Sequence, residues 1–193
     1  MASAIANRGY PVWSIEYRRT GATGGGWPIT YNDVVQGIAA AAQLKNDGIN
    51  LSKLVLVGHS AGGHLALLAG ANWQTTPALA SLPTSLAGVV GLAAISDIIR
   101  YAKGTNSCET ATPQFMGGNE TQIPQAYQHA NPATIKHWQQ TWLLHGSADN
   151  IVAPAQARLP GAETIMLEDT GHFDWIHPKT AAFELLINTL DQM

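Results

Sequence analysis

The sequence predicts an α/β fold in three layers, with a mostly parallel sheet between helices. Three observations lead there. Short apolar runs alternate along the chain with stretches of helical spacing, the pattern of βα units. The run Leu54-Val55-Leu56-Val57 is continuously apolar rather than alternating, as a strand covered on both faces is. Apolar residues make up 46% of the 193 and charged residues 12%, which excludes a disordered tail and suffices for the core of one domain, 1–193.

Each element has its own signal. Val12–Tyr17 is β-branched and aromatic, opened by Gly9-Tyr10-Pro11, and is expected to be a strand. Thr20–Pro28 is a glycine-rich loop. From Tyr31 to Lys45, apolar residues at 34, 35, 38, 41, 42 and 44 predict an amphipathic helix, with Asn32 or Asp33 as its cap. Lys53–Val57 is expected to be a central strand, and Leu65–Ala71 a buried helix. Gly88–Ile95, Thr141–His145 and Glu163–Leu167 are further strands, and Thr180–Leu190 a closing helix. The pattern lapses between 100 and 140, where Pro113, Gly117, Gly118, Pro124 and Pro132 fall among polar residues. That stretch is expected to be an irregular insert or lid over one edge of the sheet.

Composition removes several functions. Ten basic residues against thirteen acidic ones give a net charge of −3, leaving no basic excess for a nucleic acid. No apolar run approaches the ~20 residues that span a bilayer, so no membrane partner is expected. Cys108 is the only cysteine, which excludes an intrachain disulfide and a cysteine metal framework. No His-Glu-x-x-His occurs, and Gly24-Gly25-Gly26 is not followed by Gly-Lys-Ser/Thr, so neither a metal nor another cofactor is expected. Met1–Gly9 lacks the apolar core of a signal peptide, which favours a cytoplasmic location.

The sharpest motif is Gly58-His59-Ser60-Ala61-Gly62. Gly-x-Ser-x-Gly between a strand and a helix is a nucleophile elbow, in which a sharp turn lifts the serine hydroxyl above the sheet. Small residues at 58, 61 and 62 are expected to let strand and helix approach. The Ala61 N–H, at the new helix's N-terminus, is a candidate oxyanion donor. By composition alone the pattern arises roughly once in ten such chains, so its strand-to-helix setting carries the weight. The competing reading is a plain βα turn in which Ser60 caps the helix.

A serine needs a base and an orienting carboxylate to become a nucleophile. In such folds the order is serine, acid, histidine. Asp149 follows the strand Thr141–His145, and His172 follows Glu163–Leu167. Parallel strands bring such C-terminal ends to one rim, so Ser60, Asp149 and His172 are expected to converge. Asp97 is the rival acid, and Asp174 stands too near His172 in sequence. Among the other histidines, His59 and His64 are expected to pack or support, and His145 to shape the acid loop. His129 and His137 fall in the insert, and His177 precedes the last helix. His59, Trp27 and Trp175 are candidate substrate-binding residues, and Trp138 a further pocket candidate, although core burial is the commoner role for tryptophan.

These residues resemble the α/β-hydrolase superfamily. The nearer likeness is to acetyl-xylan and feruloyl esterases, hormone-sensitive-lipase-like carboxylesterases and kynurenine formamidases. It is carried by Arg8–Arg18, Gly58–Gly63, Phe115-Met116-Gly117-Gly118, Ala130-Asn131-Pro132-Ala133, His145–Asp149 and Gly171-His172-Phe173, in order over nearly the whole chain. The resemblance implies a serine hydrolase acting on small carboxylic esters through an acyl-enzyme. A formamidase-type amide hydrolase and a catalytically impaired, ligand-binding relic are the alternatives. One departure stands out. The family carries a His-Gly-Gly segment on a strand lying between the counterparts of Val12–Tyr17 and Lys53–Val57, and that segment supplies a second oxyanion donor. The chain begins too late to contain it, so an N-terminally truncated or minimal hydrolase is expected, with a gap in mid-sheet unless the strands re-pair. Gly24-Gly25-Gly26-Trp27 has a similar composition but falls after the strand.

Overall fold

The computed structural model describes every residue except Trp138, and residues 45–47 by their backbone alone. Four parallel strands form one sheet in the order β1-β2-β3-β4: β1 Lys53–His59, β2 Ser85–Leu92, β3 Gln140–Gly146 and β4 Glu163–Leu167. Continuous apolar runs make these strands because successive side chains leave opposite faces and both faces are covered. Leu54, Leu56, Val89 and Leu143 enter one core, while Val55, Val57, Val90, Leu92 and Leu144 enter the other.

The first core lies under helices α2 (Ile29–Ala40) and α3 (Ala61–Ala71), with Val34, Ile38, Leu65 and Leu67 among its buried members. The second lies under α1 (Ala2–Ala6) and the C-terminal helix Ala181–Leu190, through Ile5, Phe183, Leu186 and Ile187. The chain therefore forms the expected three layers. α3 has apolar or small residues all round and is buried from Gly63 to Ala71, as its composition requires.

The stretch 100–140 alternates short helices with turns and loops. It holds short helices at Ser107–Thr110, Thr112–Met116 and Pro124–His129 around a cluster of their own, with Tyr127, Met116, Ile98 and Val152 buried together. The helix expected from Tyr31 starts earlier, at Ile29, and continues as a 3-10 turn over Ala41–Asp47. Asp33 does not cap it. Its carboxylate instead takes the Arg18 N–H, Nε and guanidinium amine at 3.0, 2.8 and 2.6 Å.

Two further expectations change. Val12–Tyr17 joins no ladder, and β1 is an edge strand rather than a central one. Both differences have one cause. Residues 10–17 are drawn onto α2, where the Trp13 indole N–H donates to the Gly37 carbonyl at 2.8 Å and Ile15 lies against Gly37. A cleft of about 620 Å³, lined by this segment and the whole of β1, separates the two backbones. A strand forms only where another backbone lies within about 4.8 Å to accept its hydrogen bonds.

Candidate active site

β1 ends at His59, the chain turns at Ser60, and α3 starts at Ala61. Ser60 has φ 56° and ψ −121°, a conformation strained for any residue with a side chain. Its N–H donates to the carbonyl of Leu92, the last residue of β2, at 2.9 Å. Its side chain makes no capping hydrogen bond to α3, which removes the reading of Ser60 as a plain helix cap. The crowding that shapes this turn falls at 58 and 63. A Cβ on Gly58 would run into the Gly62 carbonyl, and one on Gly63 into Ala94 and the Gly58 carbonyl. Gly62 is open, with only the Tyr17 hydroxyl within 4 Å at 3.7 Å, so the expected need for a small residue there does not hold. Ala61 is exposed at the first position of α3, where backbone N–H groups lack partners inside the helix.

The loops after β3 and β4 are fastened to each other. Ser147 N–H donates to the Leu167 carbonyl at 3.0 Å and Ala148 N–H to the Thr170 carbonyl at 3.1 Å. Gly146 admits this approach, since a Cβ there would strike the Thr170 carbonyl. Asp149 is thereby buried, 4% exposed, against His172, 6% exposed. His172 Nδ1 lies 2.7 Å from Asp149 Oδ2. Asp149 Oδ1 accepts the N–H groups of Ile151 and Val152, each at 2.9 Å. Burial works against the charge on Asp149, but the bonds from His172, Val152 and Ile151 outweigh it and hold the carboxyl below its usual range. Both Asp149 oxygens are thus engaged.

His59 links this pair to the Ser60 turn. Its Nε2–H donates to the His172 carbonyl at 2.8 Å, and the two rings lie 4.5 Å apart between centroids. Burial holds His59 below the usual histidine range, so it donates as a neutral ring. His145 shapes the acid loop by donating to the Val152 carbonyl at 2.8 Å, with the same nitrogen 3.6 Å from Asp149 Oδ2.

The other candidates are placed elsewhere. Asp97 accepts the Arg100 N–H at 3.0 Å and the Asn131 side-chain amide at 3.1 Å. Asp174 accepts the Gly171 N–H at 2.7 Å and so braces the His172 loop. His64 is buried and donates to the Ala130 carbonyl at 2.6 Å. His137 is bonded to the Pro132 carbonyl, while His129 and His177 are exposed. Trp27 is half-buried and stacks on Tyr31, with centroids 5.6 Å apart. Trp175 is 0% exposed within the second core beside Leu92 and Phe183, so it is a core residue and no substrate contact. Trp138 lies outside the described residues. Phe173, passed over as a functional residue, is 61% exposed and packs edge-on against His172 at 5.1 Å between centroids. An aromatic residue directly after His172 was the available signal. Among the described residues, no three His, Cys, Asp or Glu side chains gather to hold a metal ion.

Solved structures share this fold. Esterase B from Lactobacillus rhamnosis superposes with a TM-score of 0.68 at 15% identity over 91% of this chain. The chain spans 62% of that protein. A truncated carbohydrate esterase from gut microbiota gives 0.74 at 19% identity, covering 93% of this chain and 72% of that one. An acetyl ester-xyloside bifunctional hydrolase from Caldicellulosiruptor lactoaceticus gives 0.69 at 17%, covering 92% and 69%. No curated protein matches the sequence. The BD-FAE family model matches residues 1–160. With that match over most of its length and an α/β-hydrolase sheet beneath it, the chain belongs to the BD-FAE family of α/β-hydrolase-like esterases.

Proposed function

We propose that the protein is a serine hydrolase that cleaves small carboxylic esters through an acyl-enzyme. The observation that carries this reading is the buried 2.7 Å pair of His172 Nδ1 and Asp149 Oδ2, tied through His59 to the strained turn at Ser60. The printed names of the similar structures, an esterase, a carbohydrate esterase and an acetyl ester hydrolase, support the ester as substrate.

In this reading Ser60 Oγ attacks the acyl carbon while His172 Nε2 takes its proton. Asp149 holds the ring by Nδ1–H and stabilises the imidazolium. Negative charge develops on the carbonyl oxygen, and the exposed Ala61 N–H at the start of α3 donates to it. His172 then passes the proton to the leaving alcohol, and Ser60 carries the acyl group. Water gives a proton to His172, attacks the acyl carbon and releases the acid, and Ser60 recovers its proton. A donor of this kind is worth about 10²–10³ in turnover.

The test is a panel of p-nitrophenyl acetate, butyrate and octanoate, methyl ferulate and N-formylkynurenine, run with the wild type and Ser60→Ala. Turnover of the short esters that disappears with Ser60→Ala supports the reading. Turnover of the formamide alone would move the reaction to a C–N bond. Equal rates in both proteins would remove Ser60 from the chemistry.

A further inference from the structure

We propose that His59 is a positioning residue: through its bond to the His172 carbonyl it sets where the His172 ring meets Ser60. The inference deepens the ester-hydrolase reading and rests on it.

The site is built in two halves that leave different parts of the sheet. One half is the turn at Ser60, which follows β1 and is anchored to β2 by the bond from the Ser60 N–H to the Leu92 carbonyl at 2.9 Å. The other half is the pair of Asp149 and His172, carried by the loops after β3 and β4. It is fastened within itself by the Ser147 and Ala148 N–H bonds at 3.0 and 3.1 Å and by the Nδ1 contact at 2.7 Å. In the order β1-β2-β3-β4, β4 stands three strand spacings from β1, about 14 Å at roughly 4.8 Å each. The loop after β4 must therefore reach back over β3 and β2 to bring His172 to Ser60. The ladders do not fix how far it reaches.

His59 is where that reach ends. It closes β1 and immediately precedes Ser60, so its backbone is part of the first half. Its Nε2 stands 2.8 Å from the His172 carbonyl, and because a carbonyl only accepts, Nε2 carries the proton. The half-buried ring lies 4.5 Å from the His172 ring and 6.0 Å from the Phe173 ring between centroids, so it seats against both residues of the second half. Among the described residues, no other hydrogen bond runs from 171–173 to the turn at 58–62. The Nε2 proton of His59 is thus committed to backbone and not to a ligand. Shifting reacting groups by about 1 Å can cost on the order of 10²-fold in rate, so a tie at this junction acts on turnover although it lies outside the reacting atoms.

The experiment compares His59→Phe, which keeps a ring but no donor, with His59→Gln, which keeps a side-chain N–H of similar reach. Turnover of p-nitrophenyl acetate, amide hydrogen exchange at 171–173 and the low-field Nδ1 proton resonance of His172 are read in each, beside wild type and Ser60→Ala. His59→Phe should lower kcat by about 10–100-fold with KM within about threefold. It should speed exchange at 171–173 by about tenfold or more, and keep the resonance, because the Asp149 contact belongs to the other half. His59→Gln should recover about fivefold or more of the lost kcat and restore the slow exchange. If melting shows that His59→Phe does not fold, His59→Asn, whose shorter amide stops before the carbonyl, takes its place with the same expectations. Four results would overturn the inference while leaving Ser60-dependent turnover in place. These are a donorless variant with wild-type kcat, a change confined to KM, a His59→Gln no better than His59→Phe, and loss of the resonance, the mark of a merely structural role. Absence of turnover in the wild type, or turnover that persists in Ser60→Ala, would instead end the ester reading, and the positioning role with it.

Discussion

His172 Nδ1 stands 2.7 Å from Asp149 Oδ2, and both side chains are buried. The contact joins the loops that follow β3 and β4, across 23 residues of sequence. A carboxylate held this way accepts from Nδ1 and fixes the orientation of the ring. Asp149→Asn keeps the shape and an acceptor oxygen but lacks the charge, and can present an N–H to Nδ1. The prediction is a loss of about 10⁴-fold in kcat with little change in KM, the size of effect known for such a substitution in a serine protease. Steady-state kinetics check it, with circular dichroism to show that the variant is folded. A loss under tenfold would remove Asp149 from the role.

The turn at Ser60 depends on glycine at particular places. Gly63→Val would press a side chain into Ala94 and the Gly58 carbonyl. It is expected to cost about 1–3 kcal/mol, or several degrees in Tm. Gly62→Ala meets only a hydroxyl at 3.7 Å and gains helix propensity, so its Tm should stay level or rise. Thermal melts of the two variants side by side decide the point.

Trp175 and Phe173 offer a contrast two residues apart. Trp175→Ala removes a fully buried ring from the core and should cost about 3–5 kcal/mol. Phe173→Ala takes away an exposed ring beside His172 and should leave stability within about 0.5 kcal/mol. Its expected effect is on KM. Urea unfolding and kinetics together separate the two roles.

Stability should fall as the solution is acidified below neutrality. Burial holds His64 down to about 4 in the folded protein, against about 6.5 in the unfolded chain. Between those values the unfolded chain binds the extra proton and the folded one does not. Stability is therefore full above pH 6.5 and declines towards pH 4, by on the order of 3 kcal/mol from this group. His59, His137 and His145 are displaced downward too, chiefly by burial, and add in the same sense. His64→Gln keeps a donor for the Ala130 carbonyl and should flatten the dependence of Tm on pH. An unchanged slope would show that His64 is not the main contributor.

Much of this was readable from residue order. β1 to β4 announce themselves as apolar runs bounded by glycine or polar turns, and α3 as an Ala/Leu stretch after the Gly-x-Ser-x-Gly turn. Parallel strand ends place Asp149 beside His172 without any knowledge of contacts. Val12–Tyr17 has the composition of a strand without forming one, because strand propensity is local, whereas a strand exists only with a neighbour. The neighbour's slot is a cleft here, and the indole of Trp13 holds the segment on α2 instead. Asp33 looked like a cap because its place before an apolar run fits one; a guanidinium fifteen residues upstream claims it. The burial of Trp175 and the bond from His59 to the His172 carbonyl are products of how loops pack, and neither has a periodic trace in the sequence.

The most direct measurement is treatment with a fluorophosphonate probe and mass-spectrometric mapping of the adduct, for the wild type, Asp149→Asn and His172→Ala. The account predicts one adduct, on Ser60, formed at least 100-fold more slowly in the His172 variant. No adduct on Ser60, or labelling at equal rates in all three proteins, would contradict it.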